Sequence, residues 1–91
     1  MTFKSKIYRV KSRIKSKERE IKRYRIAMDR ELSDLKDKKR FAANNSSGAT
    51  WEISISNEME SVVAKYNSKI SGAEGEIQHY RRELRNLQSQ E

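Results

Sequence analysis

Cysteine and proline are both absent from this sequence, and glycine occurs only three times. Without cysteine there is no disulfide framework and no thiolate metal site, and the redox compartment stays open. Apolar residues make up only 34%, and the mean hydropathy of -1.07 is too low for a thick, layered core. Ninety-one residues make one domain at most. With no proline and 37% charged residues, the composition is that of long solvated helices sharing a narrow apolar seam. Disorder is the bland alternative for so polar a chain. The regular spacing of the apolar residues argues against it.

Long apolar runs are missing too. The opening "MTFKSKIYRVKSR" has no apolar stretch of the kind a Sec signal peptide needs. No segment approaches the roughly 18 consecutive apolar residues of a membrane span. The expected localisation is cytoplasmic, with export by a route that uses no Sec signal left open. Catalytic equipment is equally sparse. The single histidine, His79, lies among arginines with no partner carboxylate or nucleophile. No metal-ligand spacing, phosphate loop or acid–base pair accompanies it. The expectation is a non-enzymatic protein with no catalytic, cofactor-binding or metal-binding residues.

What is present is periodicity. Phe3, Ile7, Val10, Ile14, Ile21, Tyr24, Met28 and Leu35 recur at heptad spacing. Ile7, Ile14, Ile21, Met28 and Leu35 take position a, and Phe3, Val10 and Tyr24 take d. The second half repeats the rule. Val63, Ile70, Ile77 and Leu84 take a there, with Met59, Tyr66, Ala73, Tyr80 and Leu87 at d.

An antiparallel pair layers a against d. Ile7 with Leu87, Ile14 with Tyr80, Ile21 with Ala73, Met28 with Tyr66 and Leu35 with Met59 satisfy this. Val10 with Leu84 and Tyr24 with Ile70 fit the same register. Every pair is centred on Ser47, so the chain is expected to fold back there. That point lies in "NNSSGAT", the least charged stretch, where Asn44, Asn45 and Gly48 suit a left-handed helix end. The expected fold is therefore all-α: an antiparallel two-helix hairpin, coiled-coil-like, assembling into a larger helical bundle. Helix 1 is expected over about 3–43, the turn over 44–50, and helix 2 over about 51–89.

Three charged residues, Lys17, Glu31 and Lys38, fall at d positions. The register places Glu31 near Lys65 and Lys38 near Glu58. Lys17 can extend toward Glu76 or Glu83. Polar seam residues of this kind cost stability but fix pairing and orientation. "TWEISIS" keeps an ambiguity, because Trp51, Ile53 and Ile55 alternate with polar residues as in a strand. An extended piece capped by Asn57, with Glu60 closing a capping box, competes with a helix from Thr50. The longer helix is favoured.

Two surfaces are left for function. Leu32, Phe41, Trp51, Ile55 and Val62, with Ala27 in line, are apolar residues outside the seam near the turn. A lone two-helix hairpin is seldom stable, so these five are expected to dock another helical protein, in a hetero-oligomer or a homodimer. The second surface is basic. Residues 1–44 hold 16 Lys/Arg against 6 Asp/Glu, whereas residues 51–91 hold 5 against 7. Lys11, Arg13, Lys15, Arg19, Lys22 and Arg23 are candidate anion contacts, giving an alternative reading as a nucleic-acid-binding coiled coil. Against it, the charges step around the helix instead of forming one stripe. Membrane-surface binding lacks a free apolar face. Tyr8 and Ile26 are expected to be incidental outer-face residues.

The whole-chain layout resembles the WXG family of type VII secretion: small, cysteine-free helical hairpins, including the small helical partners of LXG-type toxins. Trp51 at the hairpin tip, followed by Ile55 and Met59 at helical spacing, carries the resemblance. The family's Trp-x-Gly glycine position holds Ile53. Its C-terminal export signal, a Tyr with an acidic residue four positions on, is absent, since Tyr80 is followed there by Leu84. The resemblance implies a secretion partner, and the departures imply a targeting or chaperone-like subunit over a free-standing substrate.

Overall fold

The computed structural model describes residues 2–43 and 48–90. Two helices account for them: α1, Phe3–Ala43, and α2, Gly48–Ser89. They pair as an all-α helical hairpin, and there is no strand among the described residues. Thr2 caps α1, accepting the Ser5 N–H on its Oγ1 at 3.2 Å. The last turn of α2 closes with Gln90 N donating to the Leu87 carbonyl at 3.2 Å. No helix among the described residues is long and apolar enough to cross a membrane.

α2 begins earlier than the sequence suggests. Residues 48–50 are helical, not part of the turn. Low charge misleads here, because it does not oppose a helix; Ala49 is a good helix former and glycine is tolerated at a helix start. Asn44, Asn45 and Ser47 lie outside the described residues. The strand-like alternation of 51–56 is overridden, and the segment is helical. Extending an existing helix adds one hydrogen bond per residue fixed, whereas a separate helix start at Asn57 needs its own nucleus.

Packing divides the chain into two units. The terminal unit contains residues 1–23 and 69–91, and the turn-proximal unit contains 24–68. In the terminal unit Ile7, Val10, Ile14 and Ile21 of α1 are buried, as are Ile70, Ala73 and Ile77 of α2. In the turn-proximal unit Leu35, Ala42 and Ile55 form a core, with Met59 and Val62 packed against it. Tyr66 is also buried. Every apolar residue expected in the seam is buried or half-buried except Phe3, which is 43% exposed; of the three charged seam residues Lys17 and Glu31 are half-buried and Lys38 is exposed. The register partner of Phe3 is position 91, a glutamate, so no apolar group is due to cover it.

Candidate functional site

In the turn-proximal unit the polar seam and the apolar flank are set by the same register. Glu31 at d reaches Lys65, whose Nζ is 3.6 Å from its Oε2. That oxygen is buried and has no hydrogen bond, so the ammonium is its compensation. The same Nζ lies 4.7 Å from the centre of the Tyr66 ring, and Tyr24 meets that ring at 6.4 Å in a tilted arrangement. A hydrogen bond to Glu31, helped by burial, raises the Tyr66 pKa above its ordinary 10.0. Lys38 and Glu58, also expected to be neighbours, line one cleft together with Glu31 and Val62.

The five apolar residues expected to face a partner divide. Ile55 belongs to the hairpin's own core beside Leu35 and Ala42, and is only 7% exposed. It is therefore not available as a docking residue. Leu32 and Val62 are half-buried. Leu32 occupies position e, on the opposite flank of the seam from Phe41, Ile55 and Val62 at g. Phe41 and Trp51 remain 65% and 61% exposed, and Trp51 at c borders the g flank. Ile53, at e, is exposed to the same degree as Phe41. The strand-like alternation of 51–56 masks Ile53 in the sequence; only its helical position e shows that it faces outward.

The terminal unit is dominated by charge. Lys17, expected to extend across the seam, makes an ion pair with Glu76 and a second with Glu20 at 3.3 Å. These hydrogen bonds, Glu76 first, raise its pKa above the ordinary 10.5. Arg81 of α2 lies 3.8 Å from Glu18. The Arg13 guanidinium stands over the Tyr80 ring at 5.8 Å. All six expected anion contacts, Lys11, Arg13, Lys15, Arg19, Lys22 and Arg23, are exposed. The structure brings Lys11, Lys15 and Arg19 to one cleft shared with Arg81 and Tyr8. Arg13 borders a neighbouring cleft that Tyr8 also lines, while Lys22 and Arg23 belong to neither.

His79 is exposed, with its ring 5.9 Å from that of Tyr80. No group of three His, Cys, Asp or Glu side chains that could hold a metal ion occurs among the described residues. Comparison with family models, curated proteins and solved structures finds no match for this chain.

Proposed function

We propose that the chain is a non-enzymatic helical interaction module whose turn-proximal unit docks another helical protein along the flank carrying Phe41 and Trp51. One observation supports this most. The unit has filled its own core with Leu35, Ala42 and Ile55, and the two large aromatic side chains Phe41 and Trp51 stay more than half exposed. Tyrosine aside, aromatic residues are otherwise scarce in this chain, with two Phe and one Trp in all. Aromatic anchors are the residues most enriched at the energetic centre of interfaces. The unit is also electrically balanced, with seven Lys/Arg and seven Asp/Glu over residues 24–68, so apolar contact and not net charge would select the partner. The resemblance to the WXG layout supports the more specific role: a small partner, targeting or chaperone-like subunit for a larger effector of a type VII-like system.

The test compares exposed and buried positions on one flank. A Phe41→Ala, Trp51→Ala variant should keep its helicity and melting temperature. Its affinity for a helical partner encoded by a neighbouring gene, or for itself in sedimentation, should fall roughly thirtyfold or more. Ile55→Ala should behave oppositely, losing about 2–5 kcal/mol of stability through its cavity. Unchanged association in the double variant would remove this flank as the docking surface.

A further inference from the structure

We propose that the terminal unit carries a binding site for single-stranded nucleic acid on the outer face of α1, centred on Tyr8. The charge distribution is the first observation. Residues 1–23 hold ten Lys/Arg against two Glu, an excess of eight. Residues 24–68 hold seven against seven, and residues 69–91 hold four against four. The whole net charge of +8 therefore resides on one helical segment of 23 residues.

The second observation is how that segment is arranged in a helix. At 3.6 residues per turn, positions 4, 11, 15 and 22 fall on one narrow line, and all four are lysines. Positions 9 and 13, both arginines, form a second line. Between them runs a third, Ser5, Ser12 and Ser16, each flanked in sequence by basic residues as Lys-Ser-Lys or Lys-Ser-Arg. Charges that step around the chain in sequence thus form two cationic rails with a hydroxyl track between them. Tyr8 lies beside that track and is 75% exposed, the most exposed large apolar side chain among those described. It lines the clefts on both sides, one with Lys4, Arg9 and Arg13, the other with Lys11, Lys15 and Arg81.

This combination selects the ligand. The rails can follow a phosphate backbone, the serines can donate to phosphate or base edges, and the tyrosine ring offers a platform for a base. A duplex would satisfy the rails but keep its bases stacked away from Tyr8. A lipid surface would need an apolar face to insert. The apolar face of this segment, Ile7, Val10, Ile14 and Ile21, is buried in the hairpin. An acidic protein would match the charge and leave the exposed ring without a role.

The experiment is fluorescence anisotropy of the full chain with a labelled single strand of about 20 nucleotides, long enough for a site of this kind. The same sequence as a duplex and linear polyphosphate serve as competitors. Micromolar binding is expected at about 50 mM salt, weakening roughly fiftyfold by about 200 mM if about four phosphates are neutralised. Tyr8→Ala should weaken the single strand on the order of tenfold while leaving polyphosphate binding intact, and Tyr8→Phe should restore it. Lys11→Glu with Lys15→Glu should remove both ligands, and Lys36→Glu with Lys39→Glu should remove neither. Circular dichroism confirms that each variant keeps its helices. A duplex or polyphosphate bound as tightly as the single strand, or a Tyr8→Ala variant indistinguishable from the parent, would overturn the site.

Discussion

Tyr66 holds its proton more firmly in the folded chain than it would in an unfolded one, because its phenol hydrogen-bonds to Glu31 in a buried setting. Lys17 does the same through Glu76 and Glu20. Both shifts are upward, so the folded state binds more protons than the unfolded state at high pH. Their contribution is complete below the ordinary values of 10.0 and 10.5 and is lost as pH rises through the folded ones. Denaturant melts from about pH 9 to pH 11 should show falling stability, and Tyr66→Phe should start less stable and decline less steeply. A parent protein whose stability is flat across that range would contradict the pairing. Of these groups Glu31, Lys65 and Lys17 were legible, because heptad register alone places them across the seam. Ala42 was legible in principle, one heptad beyond Leu35, but a small residue gives a faint apolar signal. Tyr8 was not, since its surroundings exist only once lysines and arginines separated in sequence are wrapped onto one helix.

At the scale of the elements, α2 carries Gly72 and Gly75, whose cost no contact among the described residues offsets. A Cβ built at Gly72 or Gly75 would meet no atom within 4 Å beyond its chain neighbours and the adjoining turns of its own helix. Glycine in a helix interior is less favourable than alanine by about 1 kcal/mol. Gly72→Ala and Gly75→Ala should therefore each raise the melting temperature by roughly 4–8 °C, additively, in thermal denaturation followed by circular dichroism. A fall on substitution would mean that another surface approaches this face closely. The start of α2 marks where reading by composition stops working. "NNSSGAT" looks uniformly turn-like, yet its last three residues are helical. The alternation of Trp51, Ile53 and Ile55 is real in sequence, but it was decided by packing: Ile55 reaches Leu35 and Ala42 only from a helix flank. The price of that choice is the exposure of Trp51 and Ile53.

For the whole molecule, antiparallel pairing of α1 with α2 within one chain sets which residues meet across the seam. Ile14 and Tyr80 face each other in the expected register and are buried and half-buried in the terminal unit. An Ile14→Cys, Tyr80→Cys variant should close a disulfide within one chain under mild oxidation, seen as a faster band on a non-reducing gel. Disulfides formed only between chains would point to an extended dimer. The hairpin also imposes an order in time. Leu35 and Ile55 meet across 20 residues of chain, whereas Lys17 and Glu76 meet across 59 and Glu18 and Arg81 across 63. Closing the longer loops from an open chain costs about 1 kcal/mol more in entropy. Once Leu35, Ala42 and Ile55 have met, each further heptad closes against a neighbour already held. The two strands of helix thus close like a zipper from the turn outward. On the ribosome residues 69–91 emerge after the turn, so until they do the cationic segment 1–23 waits with its apolar face uncovered.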